Sequence, residues 1–491
     1  MITSTMELTD GYKLDHRRQY PKGTEFVYSN WTPRSNAYFP EAEDGAVVFG
    51  IQYFIKEYLI KRFNNDFFNL DEDVAVKTFE RRINTFLGEN EVGTEHIREL
   101  HRLGYLPIRI KALPEGHICP IGVPMLTIVN TDPRFFWLTN FLETMMSMCL
   151  WLPMTSATTA RIYRKELERH ARKTMFPEGI ELGFNCHDFS MRGMAGLEAA
   201  ITSGMGHLTA FIGSETIPAV AACEEYYNAD AEKELISATV PATEHSVMCA
   251  GGMEDEFGTF KRLLTELYPK GFVSIVSDTW DFWQVITDFI PRIKDDILAR
   301  EGRFVVRPDS GTPEDIICGT GNADDPDYIR KGAYECLWDI FGGTYTENGY
   351  KVLDTHIGMI YGDSITIERQ REIYRRLEDK GFAATNLVLG IGSYTYQYRT
   401  RDSLGFAMKA TWCKVNGEAK PIFKDPKTDS GMKKSLRGLL YVVEDDGKYK
   451  VIDNCSPWDE VRGCLQTVFE NGNITKEWSL SEVRANLAKT L

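Results

Sequence analysis

The sequence has no Cys-x-x-Cys pair and no close cysteine and histidine cluster at zinc spacing, although its 491 residues include 10 cysteines and 9 histidines. Cysteines scattered from Cys119 to Cys464 exclude a zinc-binding framework and argue against a disulfide scaffold. They read as reduced thiols of a cytosolic protein. A long apolar run is missing too. The most apolar stretch, "MMSMCLWLPM", is short and broken by Pro153, and the opening "MITSTMELTDGYKLDHRRQYP" lacks the basic-then-apolar order of a signal peptide. The expectation is a soluble, cytoplasmic chain without a membrane partner. Positive charge is also scarce: 56 Lys and Arg stand against 71 Asp and Glu, a net charge of −15. That balance opposes nonspecific binding to nucleic acid or anionic lipid, so an anionic ligand requires basic side chains gathered locally.

What is present is enough apolar material, 43% of residues, to bury one large core or two cooperating domains. Seven times in the middle of the chain a short apolar stretch runs into polar or glycine residues: "GFNCHDFSMRG", "HLTAFIGSET", "ELISATVPATEHS", "FVSIVSDTWD", "RFVVRPDSG", "HIGMIYGDS" and "NLVLGIGS". Helix-like stretches such as "TIERQREIYRRLEDKG" lie between them, with apolar residues recurring at three and four. Strand, polar turn and helix in repetition predict a parallel α/β sheet or barrel over residues 151–399. The flanks, residues 1–150 and 400–491, mix short strands and helices and predict one second, mixed α+β domain built from both chain ends.

In a parallel barrel the C-terminal strand ends converge on one face, where chemistry sits. The seven endings bring Asp188, Phe189, Arg192, Glu215, His245, Asp278, Arg307, Asp309, Asp363 and a glycine loop to that face. On this reading His245 ends its strand because the strand end is a wall of the site. "YGDS", with Gly362, and "LGIGS", with Gly392 and Ser393, offer backbone N–H groups to anionic oxygens near a helix start. Each by itself is equally an ordinary tight turn. Arg307 and Asp309 are one residue apart and point the same way from extended backbone. The first suits a phosphate and the second sugar hydroxyls or Mg²⁺, unless they form a plain salt-bridged turn. Phe189 and Arg192 pair an aromatic face with a cation, or else are a core ring and a surface arginine. Basic residues crowd the last third: Arg399, Arg401, Lys409, Lys420, Lys424, Lys427, Lys433, Lys434 and Arg437. For Lys427 and Lys434 a solvated loop is the simpler reading. His245, beside phosphate loops, suits nucleophilic attack on a phosphoryl group, with Asp278 as the carboxylate that orients its ring. No metal ligand set stands out.

Along nearly its whole length, through "TDGYKLDHRRQYP", "NTDPRFFWLTNFLET", "HDFSMRG", "VPATEHS", "SIVSD", "VVRPDSG", "YGDS", "TRD" and "FKDP", the chain resembles the nicotinamide phosphoribosyltransferases of the type II phosphoribosyltransferase family. The resemblance implies an incomplete parallel α/β barrel and transfer of phosphoribose from phosphoribosyl pyrophosphate to nicotinamide. It also implies Mg²⁺ with the pyrophosphate, ATP as co-substrate through a phosphorylated His245, and a homodimer with active sites at the interface. Phe189 and Tyr12 of the partner copy then sandwich the nicotinamide ring, with Glu215 and Arg192 beside it. Arg307, Asp309, Gly362, Asp363, Gly392 and Ser393 hold the ribose phosphate, and Arg34, Arg401, Lys409, Lys424 and Lys433 hold pyrophosphate and ATP phosphates. Two departures stand out: Glu215 where the family has aspartate, and Ser393 with Tyr394 where glycines are expected. A carboxylate at 215 still welcomes an amide N–H and repels a carboxylate on the base. The rival readings are a nicotinate phosphoribosyltransferase, which should carry a neutral or donor group at 215, and a non-catalytic binding protein on the same fold.

Overall fold

Five short parallel strands, in spatial order Cys186–Asp188, Leu387–Ile391, Ile357–Tyr361, Phe304–Arg307 and Val273–Val276, form the wall of the catalytic-type domain. Their sequences are runs of apolar residues without alternation because both faces are covered: all of Val273–Val276 and all of Ile357–Tyr361 are buried. The ring is completed by two irregular segments that pair only through single parallel bridges, Asp188 with Ser214, Gly213 with Ala238, and Ala242 with Ser274. Pro241 lies in the second of these; it has no N–H, and its carbonyl accepts from Ser274 N at 2.9 Å. The seven polar-ended stretches thus make the expected barrel, left incomplete as a sheet where two of its staves are single bridges.

The structure is a computed structural model and describes residues 4–175, 182–362, 365–424 and 436–491. The chain divides into two compact units, Met1–Thr158 with Ala222–Asp230 and Arg399–Thr490, and Thr159–Ala221 with Ala231–Tyr398 and Leu491. Helices sheathe the barrel unit. Ile367–Asp379 buries Ile367, Ile373, Tyr374 and Leu377 on one stripe and starts at Thr366, whose side chain caps Arg369 N. On the same helix the carboxylate of Glu378 meets His170 Nδ1 at 2.9 Å, while His170 Nε2 accepts from Ala384 N at 3.1 Å. Both ring nitrogens are thereby committed, and the neutral ring with its proton on Nδ1 satisfies them.

The first unit is built on an antiparallel sheet ordered Glu418–Pro421, Ala407–Val415, Thr24–Thr32, Leu126–Asn130, Ile108–Ala112, Gln466–Glu470 and Asn473–Ile474. Strands from both chain ends are therefore neighbours, and Val27, Cys413 and Val415 pack between them with Tyr20, Phe136 and Ile422. Residues 222–230 also belong to this unit, which no sequence pattern predicts. Two tyrosines attach them: Tyr226 donates to Glu57 at 2.6 Å, and Tyr227 donates to the fully buried Glu115 at 2.7 Å. Pro153 breaks the apolar run but does not end its helix. Glu143–Thr174 runs through it for 32 residues, with the proline ring seated where a Cβ on Gly50 would come within 2.6 Å. Packing of that ring holds the turn that a missing N–H weakens. Among the described residues, no helix is long and apolar enough to cross a membrane.

Candidate active site

At the C-terminal ends of the barrel strands lies a cavity of about 1000 Å³, to which Phe189, Arg192, Glu215, Arg307, Asp309 and the glycines at 362 and 392 contribute. A second cavity of about 390 Å³ extends among the strands and shares Phe189, Glu215, Val240, Ala242 and Arg307 with the first. Phe189 and Glu215 thus stand where a broad polar vestibule meets a narrower, more apolar space. That is the layout needed by a ligand with a charged part and a flat ring.

On the polar side Arg307 and Asp309 form a two-point ion pair, Nε to Oδ1 at 3.2 Å and Nη2 to Oδ2 at 3.0 Å. The pair fixes both side chains in the absence of ligand, and a fork-shaped guanidinium held in this way is preset for phosphate. Gly362 lies against it: a Cβ there would come within 2.5 Å of Asp309 Oδ1. Asp278 braces the same loop, its Oδ2 accepting from Asp309 N at 3.0 Å and Ser310 Oγ at 2.5 Å. Its Oδ1 is buried without a hydrogen bond and lies 3.3 Å from His245 Nε2, an ion-pair distance without hydrogen-bond alignment.

His245 does not end a strand. The last strand-like pairing is at Ala242 and Thr243, and His245 opens the helix His245–Ala250 with Glu244 as its N-cap. Pro241 breaks the strand early, and Glu244, in extended backbone, turns the chain into the helix. The imidazole is about half exposed, on the rim and not in the wall.

The ring side is organised by a residue that sequence reasoning passed over. His187 Nε2 meets Glu215 Oε1 at 2.9 Å, and Thr239 donates a very short hydrogen bond to the same oxygen. Hydrogen bonding from His187, opposed by burial and helped by Thr239, holds the Glu215 carboxyl below its ordinary value. His187 and Phe189 lie on alternate positions of one extended stretch and their rings are 4.7 Å apart, so the spacing alone could have paired them. Nothing in the sequence points to Thr239. The opposite neighbour of Phe189 is the guanidinium of Arg307, 5.3 Å from the ring centre. Asp188 turns away from the cavity: fully buried, it accepts from Ser190 N, Ser214 Oγ and Thr216 Oγ1 and ties two strand ends together.

The altered glycine loop is accommodated from across the site. Ser393 faces Gly193, where an added Cβ would come within 2.1 Å of Ser393 Oγ, so the side chain gained at 393 fills space left by a glycine. Tyr394 stands exposed at the cavity and stacks on Tyr398 at 4.9 Å. One glycine contact was not foreseen: a Cβ on Gly390 would come 2.7 Å from the Cα of Gly362.

The remaining candidates lie in the other unit. Tyr12 is exposed, edge-on to His16 and beneath the Lys13 ammonium. Lys409 is held below the ordinary lysine range, first by burial; Glu143 opposes this, and the positive charges of Arg34, Lys424 and Arg401 add to the lowering. These four cations therefore share one neighbourhood, while Lys420 pairs with Glu418 at 3.1 Å and Arg401 also with Asp402 at 3.1 Å. Asp363, Lys427, Lys433 and Lys434 lie outside the described residues. Among the described residues no group of three or more His, Cys, Asp or Glu is arranged to hold a metal.

Residues 184–473 match the model of the nicotinate phosphoribosyltransferase (NAPRTase) family, and residues 4–110 match the nicotinamide phosphoribosyltransferase N-terminal domain. A nicotinamide phosphoribosyltransferase of Acinetobacter baylyi is 51% identical over 98% of this chain and 96% of its own. The chain belongs to the nicotinamide phosphoribosyltransferase family. Among solved structures, nicotinate-nucleotide pyrophosphorylase from Pyrococcus furiosus aligns with a TM-score of 0.58 at 16% identity, covering 99% of this chain and 95% of that one. Human nicotinic acid phosphoribosyltransferase aligns with a TM-score of 0.56 at 16% identity, covering 98% and 93%. At such identities these two establish the shared fold alone.

Proposed function

We propose that this chain transfers phosphoribose from phosphoribosyl pyrophosphate to the ring nitrogen of nicotinamide, releasing pyrophosphate and supplying nicotinamide mononucleotide for NAD salvage. The observation that carries the reading is the cavity at the strand ends, where Arg307, Asp309 and Gly362 share the lining with Phe189 and with Glu215, the carboxylate that His187 holds. Leaving pyrophosphate develops negative charge on its oxygens while the ribose becomes oxocarbenium-like. Arg307 stabilises the first and the Asp309 carboxylate the second. Phe189 supplies the flat apolar face for the base, and Arg192 lies at its edge. An ionised Glu215 accepts an amide N–H and repels the carboxylate of nicotinate, which favours the amide over the acid.

Three further elements belong to the same proposal. Asp278, whose Oδ1 makes no hydrogen bond among the described residues, would hold a Mg²⁺ ion, which would screen the charge of the pyrophosphate. ATP phosphorylates His245, whose ring is half exposed and backed by Asp278. Tyr12 and the cations Arg34, Arg401, Lys409 and Lys424 serve the cavity of a partner copy in a homodimer. Their concentration in a chain of net charge −15 supports an anionic ligand for that patch.

The test is pyrophosphate release from phosphoribosyl pyrophosphate and Mg²⁺ with nicotinamide or nicotinate, with and without ATP. Turnover preferring nicotinamide and rising with ATP is the expected result. Preference for nicotinate overturns the role of Glu215, and absence of turnover with both bases overturns the enzymatic reading.

A further inference from the structure

Between the phosphate side and the ring side of the cavity runs a connection that is buried up to its last member, Glu215. It begins at Tyr396, in the helix Ser393–Gln397 that follows Gly392 and carries Ser393 and Tyr394 at the cavity. The Tyr396 hydroxyl lies 2.7 Å from His207 Nδ1, and His207 Nε2 lies 3.0 Å from the carbonyl oxygen of Gly213. A carbonyl only accepts, so Nε2 carries the proton, and in the neutral ring Nδ1 takes its hydrogen bond from Tyr396. Burial pushes the Tyr396 phenol far up, which keeps it a donor. Both residues are buried, and the His207 ring is fixed further by stacking on Phe211 at 5.2 Å.

The Gly213 carbonyl also receives Asp188 N at 3.1 Å, so two donors hold it. Its Cα lies against the His187 ring: an added Cβ would come within 2.7 Å of His187 Nδ1. His187 in turn holds Glu215. The sequence of contacts is Tyr396, His207, Gly213, His187, Glu215, each fixed by a directional bond or by close packing. A shift of the 392–397 segment on binding phosphate is thus carried to the ring-side carboxylate without a long-range field.

We propose that Tyr396 and His207 are positioning residues that couple occupancy of the phosphate side to the placement of Glu215, so that phosphate binding tightens binding of the base. The inference rests on the assignment of Glu215 to the base. Coupling of this kind is a free energy shared by two sites and is reciprocal, so it is read from binding alone. Tyr396→Phe removes one oxygen, the hydroxyl that bonds to His207 Nδ1, and keeps the ring.

Calorimetry on the full chain measures nicotinamide affinity with and without inorganic pyrophosphate and Mg²⁺. In the unaltered chain pyrophosphate raises nicotinamide affinity by about tenfold, within the usual range for coupled sites. In Tyr396→Phe the gain falls below about threefold, while each ligand alone binds within about twofold of the unaltered chain, the pattern of lost coupling and not of a damaged site. A gain undiminished in Tyr396→Phe overturns the relay, as does absence of any gain in the unaltered chain. Failure of nicotinamide to bind under either condition overturns the assignment of Glu215 itself, and the relay with it. A second measurement needs no substitution: with ¹⁵N-labelled histidine, pyrophosphate shifts the side-chain signals of both His207 and His187. Signals that stay in place overturn the relay.

Discussion

Glu215 and His187 are joined through Oε1 and Nε2 at 2.9 Å, and this pair, not a lone carboxylate, faces the ring side of the cavity. The bond from His187 is the first cause of the lowered Glu215 pKa, so the carboxylate stays ionised across neutral pH. An ionised group there repels a carboxylate on the incoming base and accepts an amide N–H.

Replacing Glu215 by Asn removes that charge while keeping an acceptor. The expected outcome is a fall of at least about tenfold in the ratio of kcat/KM for nicotinamide over nicotinate, which corresponds to about 1.4 kcal/mol of discrimination. Steady-state kinetics with both bases checks it. An unchanged ratio removes Glu215 from base selection.

His245 offers a different separation of effects. Its ring stands on the rim beside Asp278 and does not line the cavity with Arg307 and Asp309. His245→Ala is therefore expected to lose the rise in turnover that ATP brings while slow ATP-free transfer persists. Incubation with γ-labelled ATP, quenched in alkali and collected on a filter, gives a companion readout: base-stable, acid-labile label appears on the unaltered chain and not on the variant. An ATP response that survives in the variant excludes the phosphohistidine route.

The Ser393–Gly193 fit yields a test by exchange. An Ala at 193 would place its Cβ within 2.1 Å of Ser393 Oγ, a clash that forces the phosphate loop to move. Gly193→Ala is expected to raise the KM for phosphoribosyl pyrophosphate by about tenfold. The double substitution Gly193→Ala, Ser393→Gly removes the clashing hydroxyl and restores it, the non-additivity that marks direct contact. Additive effects deny that the two positions share space.

How much of this was legible follows from what each feature depends on. The barrel was, because apolar runs ending in polar turns repeat seven times and a two-faced buried strand has no other way to look. The Arg307–Asp309 pair was, because alternation along extended backbone fixes which residues share a side. Residues 222–230 were not, since two tyrosines bonded to Glu57 and Glu115, at a distance of more than one hundred residues, carry no local pattern. Nor was the helical start at His245, where Pro241 already hinted that the strand stops short. The Gly390–Gly362 approach and the Gly193–Ser393 fit are facts of packing between strand ends, and only a folded chain juxtaposes them.

Glu115 carries the last prediction. Its carboxylate is completely buried and accepts from Gly50 N at 3.2 Å, Gln52 N at 2.7 Å and the Tyr227 hydroxyl at 2.7 Å, with burial raising its pKa to about 7 in spite of these bonds. A carboxyl whose folded pKa lies above its unfolded value stabilises the fold at low pH, and that contribution drains away as pH rises through the folded value. The window runs from about pH 4.5 to about pH 7. Over a shift of this size the loss is on the order of 3 kcal/mol, at about 1.4 kcal/mol per unit. Glu115→Gln keeps one acceptor oxygen for the two backbone N–H groups, which in the unaltered chain bond to different oxygens, and cannot ionise. The difference in unfolding midpoint, Glu115→Gln minus the unaltered chain, is therefore expected to climb as pH is raised from 5 to 8. Taking the difference cancels every other titrating group common to the two proteins, so a flat difference across that range means that Glu115 does not change its protonation there.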